Sequence, residues 1–402
     1  MQNPLQSLLD LADEEKDARG LRHTPFEISQ QPSSWQSTYE RCLKQRAQLQ
    51  SFLTESGIKE SGTGTNHRPT PVVFLVGAGT SDYIGRALVD LLRQRWACPV
   101  WAVPSTDLLT NMQSLVVPGH EYFWISFSRS GDSSEGVAVL QKALSTYPRI
   151  RHLVVTCNSS GRMAQQCSEK PDQALALVLD AAVNDQGLAM TSSFSNMVVA
   201  GQCLAHLGDL DLYRKILNCM IMMGSKFLRN AADIAASIAA MNCSKACFLG
   251  AGPLAAVASE SALKLLELTA GRIHTMSESV LGFRHGPMSA LDRDSLCTMF
   301  LSNNPKRQPY EIDLLTEIRA KELAKVTLAV APQGTAQLDL LTDRLISLDA
   351  PPDFKDEYRP PLDVMFAQLL GLFSSVHAGL HPDRPSPNGV INRVVSHLRV
   401  YP

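Results

Sequence analysis

The feature that most constrains this chain is a short internal repeat. Phe74-Leu-Val-Gly-Ala-Gly79 returns as Phe248-Leu-Gly-Ala-Gly252, and both copies end an apolar run with glycines before a helical pattern. A strand, a glycine turn and a helix in this order open an αβα unit, so two copies predict two such units in tandem. The length of 402 residues is sufficient for two hydrophobic cores.

Apolar runs alternate with helical patterns after each copy of the repeat. Runs that are apolar on both faces and separated by helices indicate parallel strands covered on two sides. The first five runs occupy 72–76, 100–103, 122–127, 153–156 and 174–179. The second five occupy 246–249, 273–276, 296–301, 326–330 and 345–348. The sequence therefore predicts an α/β fold of two three-layer αβα domains, each with a five-stranded parallel sheet.

Three regions follow along the chain. We expect an N-terminal helical segment over 1–60 and a first αβα domain over 61–210, entered through a loop at Ser61–Pro71 where periodicity stops. The region 211–402 then holds a linking helix, the second αβα domain and a C-terminal tail. A long helical stretch lies between the two strand series, from about Gly187 to Met241.

Composition argues against several classes of protein. A formal net charge of −2 and a pI near 6.6 provide no field that attracts nucleic acid. The sequence has neither a secretion signal at its start nor an apolar run of membrane-spanning length, so we expect a cytoplasmic protein that does not enter membranes. Nine cysteines lack the paired spacing of a zinc site and are interpreted as packing residues. We expect neither a metal nor an organic cofactor.

The first glycine turn, Gly77-Ala-Gly-Thr-Ser81, is a weak signal by itself. Close packing of strand and helix explains such a turn at least as often as ligand binding does. Asp82 stands where a dinucleotide site would have its third glycine, which argues against a nicotinamide cofactor.

The loop after the third predicted strand is more specific. Ser128-Arg-Ser-Gly-Asp-Ser-Ser-Glu135 places hydroxyls, an arginine and a glycine just before a helix, where free N–H groups and the helix dipole favour an anion. The alternative is that Asp132, Ser133 or Ser134 only caps the helix. A cap needs one residue, so serines at 128, 130 and 133 favour a phosphate site.

A charged stripe occurs in the helix that follows Gly252-Pro253. Glu260, Lys264 and Glu267 are spaced four and three residues apart and share one face. Such a stripe is typical of a solvated surface. Four leucines in the same helix leave little polar surface, which indicates that the stripe faces something buried.

Both loops resemble those of the sugar isomerase (SIS) domain family, which has a GxGTS turn and an S-x-S-G-[DE]-[ST] loop around a sugar phosphate. The resemblance implies flavodoxin-like sheets. Arg129 stands where aminosugar synthase relatives have Gln, and it would add positive charge near the phosphate. The implied phosphate-binding residues are Thr80, Ser81, Ser128, Arg129, Ser130 and Ser133.

The second half resembles the isomerase module of glucosamine-6-phosphate synthase. Ser259–Glu267 matches its E-x-A-L-K-L-x-E segment, which implies that Glu267 moves a proton between C1 and C2 with Lys264 beside it. The His-Gly-Pro at His285 implies that this histidine opens the pyranose ring and reaches a neighbouring subunit, so we expect a homodimer or a higher homo-oligomer. Thr191, Ser192 and Ser193 are candidate sugar-binding residues, although a helix cap explains them nearly as well.

One branch fits best: the AgaS-type tagatose-6-phosphate ketose/aldose isomerases, also regarded as galactosamine-6-phosphate deaminases. The L-E-L-T-A-G…G-F-R-H-G-P segment, Asn184–Phe194 and Pro387–Val395 carry this resemblance. It implies that galactosamine 6-phosphate is converted to tagatose 6-phosphate and ammonia. A plain ketose/aldose isomerase, a gluco-configured substrate and a non-catalytic sugar-phosphate sensor remain alternatives. Residue 2 is Gln instead of the cysteine of a glutaminase, and no lysine follows Lys355 to match the C-terminal lysine of the synthase.

Overall fold

A computed structural model describes residues 3–59, 70–386, 388–395 and 398–401. Gln2, most of the loop predicted at Ser61–Pro71, and Pro387 lie outside the described residues. The bounds of the helices and strands below apply to the described part of the chain.

The described residues form fifteen α-helices and ten β-strands. The helices are α1 (Pro4–Leu9), α2 (Asp13–Arg19), α3 (Thr24–Ser29), α4 (Gln31–Lys44), α5 (Arg46–Glu55), α6 (Thr80–Trp96), α7 (Ser105–Leu115), α8 (Ser134–Thr146), α9 (Arg162–Glu169), α10 (Ser192–Ala205), α11 (Leu210–Ala239), α12 (Pro253–Leu268), α13 (Gln308–Ala320), α14 (Leu338–Leu341) and α15 (Pro360–His377). None of them is both long enough and apolar enough to cross a membrane.

All ten predicted strands are present. They are β1 (Val72–Gly77), β2 (Val100–Pro104), β3 (Tyr122–Ser128), β4 (Arg151–Thr156), β5 (Ala174–Val178), β6 (Lys245–Gly250), β7 (His274–Ser279), β8 (Ser295–Phe300), β9 (Val326–Pro332) and β10 (Arg344–Leu348). The strands pair in parallel in the orders β2-β1-β3-β4-β5 and β7-β6-β8-β9-β10. Both orders are the flavodoxin order 2-1-3-4-5, which confirms the predicted α/β class and its two equivalent sheets.

The helical stretch predicted from about Gly187 to Met241 consists of two helices. The chain forms α10 and α11 there, separated by a 3₁₀ turn at Leu207–Asp209. The Asp209 carboxylate accepts a hydrogen bond of 3.2 Å from the N–H of Leu212, so it caps α11 and marks a new helix start.

The chain divides into two compact units, and neither is one continuous stretch. The first-sheet unit comprises Ser33–Asn184, Ser192–Leu217 and Asn392–Pro402; the second-sheet unit comprises Met1–Pro32, Asp185–Thr191 and Asn218–Ile391. In the second-sheet unit the carboxylate of Asp383 accepts hydrogen bonds of 2.7 Å from the N–H and the hydroxyl of Thr24, so early and late parts of the chain pack together. The domain boundaries drawn from the sequence stay a prediction.

The central strand of each sheet is the most deeply buried. Every residue of β3 and of β8 is buried, whereas the edge strands β2 and β10 each have exposed positions. This pattern follows from helices on both faces, since an interior strand also has a strand on each side whereas an edge strand has one on a single side. The carboxyl ends of the strands therefore lie at a fixed edge, where loops can present polar groups.

Both copies of the glycine repeat have the same geometry. A Cβ on Gly77 would lie 2.3 Å from the carbonyl carbon of Ser81, and one on Gly250 would lie 2.2 Å from the carbonyl oxygen of Leu254. Gly79 and Gly252 have φ values of +56° and +57°. Glycine is required at these positions because any side chain would collide with the incoming helix or strain the turn. The repeat seen in the sequence is thus a repeat in three dimensions.

The core of the first-sheet unit encloses a histidine. His152 on β4 has no solvent exposure, packs edge-on against Trp124 at a centroid distance of 5.3 Å, and has no hydrogen-bond partner on either ring nitrogen. Burial lowers the pKa of His152 to about 3. The imidazole is therefore a neutral packing group in the folded protein.

We predict that this histidine contributes to acid sensitivity. Its pKa is lower in the folded than in the unfolded chain, so the unfolded state alone takes up a proton as the pH falls below about 6.5, and stability is lost. Between neutral pH and pH 5, the unfolding free energy of His152→Leu should fall by about 2 kcal/mol less than that of wild type. Urea unfolding at both pH values measures the difference, with exposed His120→Gln as the control. An unchanged pH dependence in His152→Leu would contradict the assignment.

Candidate active site

The two predicted phosphate loops leave neighbouring strands at the same edge of the first sheet. Strands β1 and β3 pair in parallel with Val76 beside Ser126, so the turn after β1 and the loop after β3 start side by side. Thr80 and Ser81 form the first turn of α6, and both are buried. The sequence prediction that these loops adjoin is therefore met by the sheet order.

Two of the predicted serines shape their own loop. The hydroxyl of Ser128 accepts a hydrogen bond of 3.1 Å from the N–H of Gly131, and that of Ser130 accepts one of 3.1 Å from the N–H of Asp132. Gly131 has a φ of +67°, and a Cβ there would lie 3.3 Å from Cα of Gly161. The loop is thus a tight turn that directs its backbone toward the start of α8.

Ser133 occupies the N-cap position of α8, but its side chain accepts no hydrogen bond from the first turn of the helix. The alternative that Ser133 serves only as a cap therefore lacks its defining contact. Ser134 donates from its N–H (3.0 Å) and its hydroxyl (3.2 Å) to the carbonyl oxygen of Val395. The helix start thus attracts an acceptor oxygen, as its dipole requires.

Arg129 is buried, with 6% of its surface exposed. Its guanidinium donates a hydrogen bond of 2.5 Å to the carbonyl oxygen of Arg393, and Arg393 in turn donates one of 2.7 Å to the side-chain oxygen of Asn184. Residues of the C-terminal tail therefore lie against the phosphate loop of the same unit. A direct contact of Arg129 with phosphate stays a prediction.

Sequence reasoning missed the residues that support this loop. Asn158 donates to the carbonyl oxygen of Ser130 at 2.9 Å, while the N–H of Arg162 donates to the Asp132 carboxylate at 2.9 Å. Both follow β4, which pairs with β3. The available signal was the strand order, because the loop after β4 must lie beside the loop after β3 in a 2-1-3-4-5 sheet.

The three candidate sugar-binding residues lie in the interior. Thr191, Ser192 and Ser193 have no exposed surface in the single chain. Thr191 directly precedes α10, and the Asp185 carboxylate accepts hydrogen bonds from its N–H (2.8 Å) and its hydroxyl (3.2 Å). These contacts favour a structural role for Thr191, while a sugar contact for any of the three residues stays a prediction.

The charged stripe on α12 is buried, not solvated. Nζ of Lys264 lies 3.3 Å from the Glu260 carboxylate and 2.6 Å from the Glu267 carboxylate. The side chains of Glu260 and Lys264 are 0% and 1% exposed, whereas that of Glu267 is 22% exposed. Glu260 and Lys264 are thus enclosed, whereas the Glu267 carboxylate at the other end of the stripe is partly exposed.

Lys264 remains a cation despite its burial. Desolvation by itself lowers its pKa, but the charges of Glu260 and Glu267 and their hydrogen bonds outweigh it, so the pKa of Lys264 is raised above its usual value. A charged lysine fixed between two carboxylates orients the Glu267 carboxylate. This arrangement supplies a positioned base, which proton abstraction requires.

His285 ends a 3₁₀ turn, Gly282–His285, that follows β7. Phe283 anchors the turn in the core, the Arg284 guanidinium contacts the Glu317 carboxylate at 2.6 Å, and the φ of +123° at Gly286 requires glycine. The side chain of His285 is exposed. The turn therefore presents an imidazole on a supported but open surface.

One chain does not bring Glu267 and His285 together. Helix α12 begins at the carboxyl edge of the second sheet and must return to the amino edge, because β7 starts there in parallel with β6. Glu267, near the end of α12, lies about 20 Å along the helix axis from its start. His285 follows β7 at the carboxyl edge, so the two predicted catalytic side chains of one protomer lie at opposite edges of the sheet.

Comparisons with known proteins agree with this architecture. No protein-family model matches the chain. A D-galactosamine-6-phosphate deaminase, AgaS, from Escherichia coli is 34% identical over 381 residues, which span 94% of this chain and 95% of that protein. The same name belongs to a protein from Shewanella sp. (strain ANA-3) that is 30% identical over 399 residues, or 98% of this chain and 96% of that protein.

Solved structures extend the similarity. Tagatose-6-phosphate ketose/aldose isomerase from Escherichia coli has a TM-score of 0.82 at 31% identity, with 94% of this chain and 96% of that chain covered. The C-terminal domain of glucosamine-fructose-6-phosphate aminotransferase from Francisella tularensis has a TM-score of 0.73 at 18% identity, with 90% and 98% covered. The second of these similarities concerns the fold alone.

Proposed function

This chain belongs to the AgaS family of sugar-phosphate deaminases and isomerases, and we propose that it converts galactosamine 6-phosphate into tagatose 6-phosphate and ammonia. The observation that carries the proposal is the α12 stripe, in which buried Lys264 holds the part-exposed carboxylate of Glu267 at 2.6 Å. A base held in this way suits removal of a carbon-bound proton next to a carbonyl group.

In the proposed binding mode the phosphate lies on the serine loop. Its oxygens would accept hydrogen bonds from Ser81, Ser130 and Ser133 and face the start of α8. Support comes from the missing cap contact of Ser133 and from the backbone-directed turn at Gly131. Charge-assisted hydrogen bonds of this kind position the sugar before chemistry begins.

The proposed reaction has three steps. His285 transfers a proton between the ring oxygen and the C1 hydroxyl, which opens the pyranose to an aldehyde. Glu267 then removes the C2 proton while the C1 oxygen gains a proton, which gives an enolamine. Glu267 returns a proton to C1 as the amine loses one, so that the carbon–nitrogen bond at C2 becomes an imine and C1 carries a hydroxyl. Water adds to C2, ammonia leaves, and the ketose remains. Lys264 acts as a positioning residue for the Glu267 carboxylate.

We propose that the protein works as a homodimer or a higher homo-oligomer, with His285 of one copy serving the site of another. The opposite placement of Glu267 and His285 on the second sheet supports this proposal. We also propose that the substrate is phosphorylated, that the protein is cytoplasmic, and that it has no nucleic-acid or membrane partner. The near-neutral charge supports the last point.

A substrate panel tests the function. Purified protein is incubated separately with galactosamine 6-phosphate, glucosamine 6-phosphate and tagatose 6-phosphate, and ammonia and sugar products are quantified independently. We expect equal amounts of ammonia and tagatose 6-phosphate from the galacto amino sugar. Aldose formation from tagatose 6-phosphate without turnover of either amine would favour the plain isomerase, which the Escherichia coli isomerase structure makes the second candidate. Binding without any turnover would indicate a sensor.

Two substitutions should separate chemistry from binding. Glu267→Gln should lower exchange of the C2 proton with solvent by a factor of about 10³ while leaving sugar-phosphate affinity nearly intact. Ser133→Ala should weaken that affinity about tenfold or more, because a hydrogen bond to a charged group is lost. Isotope exchange by NMR and calorimetric titration measure the two effects. Ser145→Ala, at the exposed far end of α8, is the matched control. Equal loss of both properties in Glu267→Gln would contradict its role as base.

Mixing inactive variants tests the shared site. Glu267→Gln and His285→Ala should each be inactive alone. After dissociation and reassociation in equal amounts, about a quarter of wild-type activity should return, because half of the dimers are mixed and each mixed dimer has one complete site. No recovery despite mixed dimers in native mass spectra would place both residues in the site of a single chain.

A further inference from the structure

The carboxyl edge of the second sheet has a counterpart of the phosphate loop. Gly77 and Gly250 end equivalent strands. The register pairs Gly250 with Phe300 between β6 and β8, and Val76 with Ser126 between β1 and β3, so Phe127 is the equivalent of Phe300 one residue farther along. Leu301-Ser-Asn-Asn304 therefore occupies the position that Ser128-Arg-Ser-Gly131 occupies in the first sheet. The two loops are therefore equivalent in position, and the groups that each one binds can be compared.

A carboxylate occupies this second loop. Oδ1 of Asp356 accepts hydrogen bonds from the N–H of Asn303 at 2.8 Å and from Nη1 of Arg359 at 3.2 Å. Oδ2 accepts from Nη1 of Arg307 at 3.3 Å and from the hydroxyl of Ser302. Asp356 is 3% exposed and Arg359 is 0% exposed. A backbone N–H, a hydroxyl and two guanidinium groups form the donor set of an oxyanion site.

The space over the helix start also differs between the two sheets. A Cβ on Gly79 would meet nothing within 4 Å, whereas one on Gly252 would lie 2.6 Å from the guanidinium of Arg307. The second glycine turn is thus covered by the arginine that contacts Asp356. The first glycine turn has no such cover at Gly79.

We propose that the second sheet contains an oxyanion-binding site whose resident ligand is the Asp356 carboxylate of the same chain. The donors of this site suit a carboxylate or a phosphate. Because the Asp356 carboxylate occupies them, no such anion from solution binds there. It follows that each chain holds one external sugar phosphate, on the first sheet alone. The internal ligand also anchors the start of α15, because Arg359 contacts Asp356 and donates to Asp363 at 2.7 Å.

The charges at this site show why an anion is needed. Arg307 and Arg359 are two cations. Burial raises the pKa of Glu311 to about 7 and that of Asp363 to about 6, so near neutral pH Glu311 is only partly ionised, while Asp363 is mostly ionised and pairs with Arg359. The Glu311 carboxylate accepts a hydrogen bond of 2.8 Å from the N–H of Ser302 and so supports the loop 301–304. Removal of Asp356 therefore leaves excess positive charge in a buried place, which an added anion would neutralise.

Chemical rescue tests the proposal. Asp356→Gly removes a group of the size of acetate and should lower the melting temperature by about 5 °C or more in a chloride buffer. Acetate at the same ionic strength should restore several degrees with saturable dependence, whereas wild type and the exposed control Asp353→Gly should show no saturable gain with acetate. Inorganic phosphate would also bind the serine loop of the first sheet in every variant, so its gain in Asp356→Gly is compared with the gain in wild type and should exceed it. Rescue by acetate alone would identify a carboxylate-sized site, and rescue by phosphate a larger one; both support the proposal.

A double variant and a refolding measurement complete the test. Arg307→Gln combined with Asp356→Gly should lose most of the rescue, because one of the two guanidiniums is gone. If Asp356→Gly does not fold in chloride, refolding yield in acetate against chloride replaces the melting temperature. Equal melting temperatures or yields in chloride, acetate and phosphate would overturn the proposal. These measurements do not depend on turnover, so their failure is distinct from failure of the proposed reaction.

Discussion

The close approach of a helix to a glycine is the constraint on which both sheets depend. At Gly77 and Gly250 the backbone of the following helix lies where a side chain would begin, at 2.3 and 2.2 Å from an added Cβ. This contact lets α6 and α12 lie flat on their sheets and sets the direction in which each one runs. The loops at the carboxyl edges, the turn into α8 and the position of the α12 stripe all follow from it.

The two sheets use the same scaffold in different ways. The first edge carries serine hydroxyls and the start of α8 in a loop that Asn158 and Arg162 support. The second edge is filled by Asp356 and Arg307. The second sheet contributes α12 instead, where burial strengthens the interaction of Lys264 with its carboxylates. Duplication thus provided two equal frameworks, and polar substitutions at their edges gave them different chemistry.

Apolar runs separated by helical patterns predicted all ten strands, because a parallel strand covered on two sides needs apolar residues on both faces. The helical stretch between the two sheets was predicted as a region, and the capping residue Asp209 marks where α10 and α11 divide it. The leucines of α12 only suggested that its charged stripe is buried. Its burial arises from α15, which packs along α12 so closely that a Cβ on Gly371 would lie 3.2 Å from the carbonyl oxygen of Lys264. No local pattern near α12 reveals that neighbour.

The sequence by itself determined the class of fold and the doubled unit, and it supplied the candidate site residues, since local pattern and residue chemistry decide those properties. Tertiary structure alone decided which of the two glycine turns is covered by an arginine, how the loop after β4 supports the loop after β3, and that Glu267 and His285 lie at opposite edges of one sheet. Those outcomes depend on contacts between residues far apart in the chain, such as Asp356 with Ser302. Distance and burial are properties of the packed chain and cannot be read from the order of its residues.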